Sequence, residues 1–309
     1  MLRTGEIRES VYKRSVGRQL YSGKKPPLAC SLETVLVEGR TLAADRLARN
    51  MVNLFAAKGS KVRQMTVSLA LPQGTEEPDL RSFMKRLGDL CGEYGIPVET
   101  GEIKVLPGVG IPLISAVGLG EDYETKAFPE IRPGLEIVAA GTIACEGAAV
   151  LAMEHEEELK ERFAGFYVEE AKRLFDHAAM PVVRDILLKE KAAGEAVREA
   201  GIFGGLWKLA AAGRVGLDID LARIPIRQHT VEVCEFFNLN PYMLLSGGCI
   251  LLAAEKGEEI VSALAEEDIE AAVIGRTTSG NDRIIRYDEE IRYLEPPGTD
   301  EIYKMIKNS

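Results

Sequence analysis

A chain of 309 residues, 46% hydrophobic and 28% charged, is longer than one average core organises, so two domains are expected. Its formal net charge of −10 speaks against a general nucleic-acid binder, because phosphate is repelled by a net acidic surface. No apolar run approaches the ~20 residues that span a bilayer, and residues 1–17 hold no apolar signal core, so a cytoplasmic location is expected. The five cysteines (Cys30, Cys91, Cys145, Cys234 and Cys249) are scattered and form no C-x-x-C pair. That pattern reads as reduced, mostly buried thiols.

In chain order, residues 1–28 form an arm, with weakly amphipathic turns over 6–20 and then Ser22-Gly23-Lys24-Lys25-Pro26-Pro27, where glycine and paired proline forbid a regular element. The arm concentrates basic charge in Arg8, Lys13, Arg14, Arg18, Lys24 and Lys25. A β-branched run at 34–37 predicts a strand. Residues 42–57 carry Leu42, Leu47, Met51, Leu54 and Phe55 at helical spacing, with Gly59 just beyond the end. Residues 62–71 alternate as a strand, and 78–94 read as a helix stopped by Gly95 and Pro97. Strands follow at 98–105 and 113–118. This is one α/β domain, residues 29–130.

Arg132-Pro133-Gly134 turns into a second domain, residues 131–309. There the pattern predicts strands at 136–140, 216–218, 249–254, 271–277 and 284–286. Helices are expected at 147–152, 156–163, 167–177, 181–192, 203–212, 230–237 and 257–266. The halves are similar in size but show no residue-level repeat.

Generic motifs exclude more than they assign. There is no G-x-x-x-x-G-K-[ST] loop, and Gly108-Val109-Gly110 and Gly118-Leu119-Gly120 lack the third glycine of a dinucleotide site. His155, His177 and His229 have no metal-ligand spacing, and no G-x-S-x-G marks a hydrolase. Two glycine-rich stretches remain, Glu146-Gly147-Ala148-Ala149 and the run from Glu199 through Gly201, Gly204 and Gly205 to Trp207. Each opens a helix whose backbone N–H groups could receive a phosphate. On local sequence alone, close packing that only glycine permits is the better explanation of each.

The second run, Gly201-Ile202-Phe203-Gly204-Gly205-Leu206-Trp207-Lys208-Leu209-Ala210, resembles the glycine-rich helix start of the aminoimidazole ribonucleotide (AIR) synthase superfamily. That group includes the hydrogenase-maturation carbamoyl dehydratase, selenophosphate synthetase and thiamine-monophosphate kinase. The resemblance continues through Ile224-Pro225-Ile226, the stretch from Cys234 to Tyr242, Ser246-Gly247-Gly248-Cys249-Ile250-Leu251, Val273-Ile274-Gly275, and the closing Leu294-Glu295-Pro296-Pro297 with Asp300-Glu301. It is continuous over residues 131–305, in the layout of an AIR-synthase-related subgroup similar to the hydrogenase-maturation protein. Lys13-Arg14-Ser15-Val16, Asn53-Leu54 through Gly59, and Gly101-Glu102-Ile103-Lys104 extend it into the first half.

The resemblance implies a two-domain AIR-synthase-like α/β (α+β) fold. The N-domain would pair strands with a second copy into a dimeric β-barrel, and the C-domain would be an α/β sandwich. It implies ATP in the cleft, phosphates held by Mg²⁺ on aspartates and by the N-terminal arm, and oxygen activation by phosphorylation. The nucleotide- or anion-binding candidates that follow are Lys13, Arg14, Asn53, Gly101, Glu102, Lys104, Glu146, Gly147, Arg198, Gly201 and Gly204, with Glu102 the one candidate metal ligand. No catalytic residue is assigned. Leu54 stands where the family has an aspartate, Glu102 replaces another, and Ala196-Val197-Arg198 replaces Asp-x-Thr. Loss of several carboxylates cripples a metal-dependent phosphoryl-transfer site. Two readings therefore follow: a divergent relative with weakened or lost ATP/Mg²⁺ chemistry, binding an anionic metabolite or serving as a partner subunit, and an active ATP-dependent ligase, dehydratase or kinase.

Overall fold

The computed structural model describes residues 30–36, 42–120 and 130–305. The arm and its candidates Lys13 and Arg14 lie outside the described residues. The first domain is a four-stranded sheet, in the order β1-β4-β2-β3, made of β1 (Cys30–Leu36), β2 (Val62–Leu71), β3 (Val98–Val105) and β4 (Leu113–Gly120). Strands β2 and β3 run parallel, and β4 is antiparallel to both β1 and β2. Helices α1 (Ala43–Ala56) and α2 (Glu77–Glu93) cover one face. Alternation in β2 turns Met65, Val67, Leu69 and Leu71 into that core. On β4 the inward positions include Gly118 and Gly120, where a Cβ would lie 2.5 Å from Met51 Sδ and 2.4 Å from Phe55 Cε1. These two glycines let α1 lie close against the strand.

The second domain is a seven-stranded mixed sheet, β11-β10-β7-β9-β5-β8-β6. Its strands are β5 (Glu136–Ala140), β6 (Ala193–Ala196), β7 (Gly216–Asp220), β8 (Ile250–Ala254), β9 (Ala271–Thr278), β10 (Arg283–Tyr287) and β11 (Glu290–Tyr293). β8 is buried along its whole length and β5 along all but Glu136, so both read as continuous apolar runs. Helices α3 (Cys145–Glu154), α4 (Glu156–Lys160), α5 (Gly165–Lys172), α6 (Val183–Lys189), α7 (Gly201–Gly213), α8 (Gln228–Phe236) and α9 (Gly257–Ala265) complete it.

The two faces of this sheet meet different neighbours. Ile137, Ala139, Leu251 and Ala253 pack against Ile202, Leu206 and Leu209 of α7. Val138, Ala140, Ile250 and Leu252 pack against α6 and α9, and also against Leu54, Ala56 and Ala57 from the first domain. Helix α1 is thus shared: its Leu47, Met51 and Phe55 belong to one core and its C-terminal end to the other. Every residue of α1 except Arg46 is buried. Its polar side chains must therefore find partners within the protein, and several find them at the seam between the domains, where the candidate site lies. No helix among the described residues is long and apolar enough to cross a membrane.

Candidate functional site between the domains

Three polar side chains of α1, Arg46, Asn50 and Asn53, follow the i, i+4, i+7 spacing that places residues on one helical face. Each reaches the second domain. Arg46 Nε donates to Glu146 Oε1 at 2.5 Å, and Asn50 Nδ2 donates to the same oxygen at 3.2 Å. The other oxygen, Oε2, accepts from the Gly247 N–H at 2.9 Å. Glu146 is 1% exposed, so its charge rests on these three donors. Gly247 has no room for a side chain: a Cβ would stand 2.1 Å from Asn50 Oδ1 and 2.4 Å from Glu146 Oε2.

Asn53 fastens the next turn. Its Nδ2 donates to the carbonyls of Ala178 (2.6 Å) and Gly247 (2.8 Å), and its Oδ1 accepts from Met180 N (2.7 Å). Its amide is thereby committed to backbone on both ends. Asp45, on the neighbouring face, receives a two-pronged bond from Arg86 of α2 (2.7 and 3.0 Å) and an ion pair from Arg49 at 2.7 Å.

The glycine-rich run forms the other wall. Ala200 and Gly201 both take left-handed backbone angles, φ 60° and 57°, immediately before α7. A Cβ at Gly201 would lie 2.5 Å from the Tyr242 carbonyl oxygen, so the close approach requires glycine. The N–H of Ala200 donates to Asp300 Oδ2 at 2.7 Å, and Asp300 Oδ1 accepts from Ile302 N at 2.9 Å. Asp300 begins a 3-10 turn, Glu301–Lys304, that runs back across the domain. Glu301 accepts from Asn240 N (3.1 Å), and Tyr303 Oη donates to Glu199 Oε1 (3.0 Å). Burial, with Glu199 and Glu146 nearby, pushes the Asp300 carboxyl up to about 7 despite its two backbone donors. Burial and the Glu199 carboxylate likewise push the Tyr303 phenol up.

The candidates named from sequence fall into three places. Asn53, Glu146, Arg198 and Gly201 lie along this interdomain seam. Gly147 and Gly204 meet packing demands: the Gly147 N–H is bonded to the Leu245 carbonyl at 3.1 Å, and a Cβ there would meet Leu244 at 2.4 Å. At Gly204 a Cβ would meet the Glu199 carbonyl oxygen at 2.8 Å. Gly101, Glu102 and Lys104 sit on β3, an outer strand of the first sheet, where Glu102 and Lys104 pair at 2.6 Å in solvent. Sequence reasoning named no role for Arg46, Asn50, Gly247, Asp300 or Tyr303. The spacing of Arg46, Asn50 and Asn53 within an apolar helix was the available signal for the first two.

A magnesium ion at a phosphate site is usually held by one or two carboxylates together with water and the substrate phosphates, so it needs carboxylate oxygens left free. Here Glu146 is held by Arg46, Asn50 and Gly247, Asp300 by Ala200 and Ile302, and Glu199 by Tyr303. Leu54, where the resemblance led to expecting an aspartate, is 7% exposed and packed among aliphatic side chains. Among the described residues no group of three or more His, Cys, Asp or Glu side chains is arranged for a metal. Among the described residues the donor set does not fit magnesium, and no phosphoryl-transfer step follows from it. A cavity of about 650 Å³ opens in the first domain between Leu69, Leu71, Leu80, Phe83 and Ile114. None of the seam residues named above lines it, and the Arg86 guanidinium in its wall is already committed to Asp45, so the seam is the better candidate site.

Residues 132–288 match the C-terminal domain, and residues 28–121 the N-terminal domain, described as AIR synthase related protein. A putative hydrogenase expression/formation protein of Methanocaldococcus jannaschii is 25% identical over 244 residues, 76% of this chain and 70% of that one. Carbamoyl dehydratase HypE of Rhizobium leguminosarum bv. viciae is 25% identical over 248 residues, 76% and 68% of the two chains. Among solved structures, the hydrogenase maturation protein HypE in complex with ATP gives a TM-score of 0.73 at 20% identity, covering 88% of this chain and 85% of that one. At that identity the likeness is one of fold.

Proposed function

This chain belongs to the family of AIR synthase related proteins, and from that premise we propose that it binds a nucleotide or another anionic metabolite at the seam between its domains, with the family's magnesium-dependent ATP chemistry weakened or lost. Mixed α/β domains in the layout of a solved ATP complex support the nucleotide class. The observation that carries the loss of turnover is the state of the seam carboxylates, which already accept from protein donors, together with the burial of Leu54. Neutralising charge on a transferred phosphoryl group draws on metal ions held by free carboxylates, and the seam carboxylates among the described residues are already bonded to protein donors.

Calorimetry tests the reading. ATP or inorganic pyrophosphate is expected to bind with the same affinity with and without Mg²⁺, and no ADP is expected to accumulate over hours. Magnesium-dependent ATP hydrolysis would return the chain to the active ligases, dehydratases and kinases of its superfamily.

We propose further that the chain is a homodimer built through the first sheet. Strand β3 is one of its two outer strands, and its Ile103 and Val105, with the adjoining Leu106 and with Leu113 of β4, are exposed. An apolar sheet edge of this kind is normally covered. Light scattering at the monomer mass would refute it.

A further inference from the structure

Strands β10 and β11 carry three arginines, and the fold treats one of them differently. Arg286 donates from Nε to Asp218 Oδ1 on β7 at 2.6 Å, and Arg292 donates from Nη2 to Glu290 Oε2 at 2.6 Å. Arg283, at the start of β10, lies instead over the ring of Trp207 on α7, its guanidinium carbon 3.6 Å from the ring centre. Its Nε is shut away from solvent and bonded to nothing among the described residues. Burial alone pulls the Arg283 guanidinium below its ordinary value, with no neighbouring carboxylate acting to raise it. The Asp218 carboxylate, by contrast, pushes Arg286 up.

A partly desolvated cation without a counter-charge is unfavourable in the isolated chain. The indole offsets part of this, because the ring quadrupole attracts the guanidinium. Stacking occupies the face of the guanidinium and leaves the N–H donors along its edge unused. The surroundings are aromatic. Phe203, one turn back on α7, stacks on Tyr242 with ring centres 5.4 Å apart and planes 10° apart. Trp207, Phe203 and Tyr242 are all half-buried, so each keeps a part open to solvent. Tyr287 shares the face of Arg283 by strand alternation and is 53% exposed. Tryptophan, tyrosine and arginine are the residues that concentrate binding energy at protein interfaces.

We propose that Arg283 on Trp207, with the aromatic side chains beside it, is a docking surface for a partner protein, whose segment presents one acidic side chain to the guanidinium and an apolar neighbour to the rings. Charge complementarity selects this occupant. A carboxylate matches the guanidinium edge in a two-pronged bond and supplies the counter-charge that Arg286 and Arg292 find within the chain and Arg283 does not. The aromatic faces take the apolar neighbour. The chain's own net charge of −10 disfavours a strongly acidic partner, so the complement is a single carboxylate on an otherwise uncharged segment. This surface does not depend on the anion-binding reading of the seam.

Trp207 is the one tryptophan of the chain, so its fluorescence reports this surface directly. The probes are the peptide acetyl-Phe-Glu-Phe-amide, its uncharged analogue acetyl-Phe-Gln-Phe-amide, and sodium acetate, each titrated into the full chain. The Glu peptide is expected to change Trp207 emission saturably at millimolar concentration and to bind about tenfold more tightly than the Gln peptide or acetate. Arg283→Gln is expected to lose that tenfold for the Glu peptide and to leave the Gln peptide unchanged. Arg283→Lys, which keeps the charge without the planar fork, is expected to fall between, and melting curves matching wild type show that the variants are folded. Equal binding of the Glu and Gln peptides, or equal binding of the Glu peptide by wild type and Arg283→Gln, overturns the proposal. No response to the Glu peptide at millimolar concentration overturns it as well. Acetate bound as tightly as the Glu peptide shows a site for a free carboxylate ion and overturns the protein partner. The seam reading stands or falls independently of these outcomes.

Discussion

Arg46 and Glu146, 100 residues apart in sequence, meet with Nε and Oε1 2.5 Å apart and tie α1 of the first domain to α3 of the second. Removing the guanidinium leaves a carboxylate that is 1% exposed with two neutral donors. Breaking one side of a buried pair typically costs about 3–5 kcal/mol. Arg46→Met is therefore expected to lower unfolding stability by roughly 3 kcal/mol, read as a shift in the urea midpoint with unchanged slope. Glu146→Gln, which keeps an acceptor for Gly247 and leaves Arg46 close to solvent, is expected to cost less.

Two kinds of glycine give opposite predictions. Gly247→Ala puts a methyl group within 2.1 Å of Asn50 Oδ1 and 2.4 Å of Glu146 Oε2, and should destabilise by about 2 kcal/mol or more. Gly88, inside α2, has no neighbouring atom within 4 Å of where a methyl group would stand, so Gly88→Ala should stabilise by about 0.5–1 kcal/mol through helix propensity alone. Thermal unfolding of the two variants beside wild type checks both signs.

Placing an aspartate at position 54, as the resemblance suggests, should not create a metal site. Leu54 packs with Ala57, Val138, Met180 and Ile250, and Leu54→Asp buries an unpaired carboxylate there. The expected result is a loss of about 3 kcal/mol or more, with a melting temperature indifferent to millimolar Mg²⁺. A magnesium-dependent rise in melting temperature would show that the seam can rearrange around a cation.

Asp300 sets a pH dependence. Its carboxyl is raised from 3.8 to about 7 in the folded protein, so the folded state holds this proton more tightly than the unfolded state does. No penalty exists below pH ~4; the penalty grows as pH rises and is complete above ~7, reaching on the order of 4 kcal/mol. Stability is thus expected to fall between about pH 4 and 7, and Asp300→Ala should flatten that slope in denaturant titrations run across the range.

The elements with long periodic patterns were legible in the sequence. The helix expected at 42–57 is Ala43–Ala56, and that expected at 78–94 is Glu77–Glu93, because apolar spacing and the following glycine or proline state both face and end. Strands β6 and β11 were not foreseen. Ala193-Gly194-Glu195-Ala196 has no β-branched residue, and Glu290-Ile291-Arg292-Tyr293, although it alternates, is only four residues long and exposed throughout, so neither reads as a half-buried strand. At the seam, Glu146 and Gly201 could be picked out because each opens a helix. Their partners Arg46 and Asp300 could not, because Arg46 lies 100 residues from Glu146 and Asp300 lies 100 residues from Ala200, and only the folded chain brings them together.

Helix α1 belongs to two cores at once. Its Met51 and Phe55 press on the first sheet, its Leu54 and Ala56, with the following Ala57, press on the second, and Gly194 leaves just enough space for the Ala57 carbonyl. A helix gripped on both sides cannot act as a hinge, since opening the seam would tear apolar surface from one sheet or the other. The lobes therefore move as a single body, and traffic into the seam must depend on peeling back short lengths of chain at its rim rather than on a jaw-like opening of the protein.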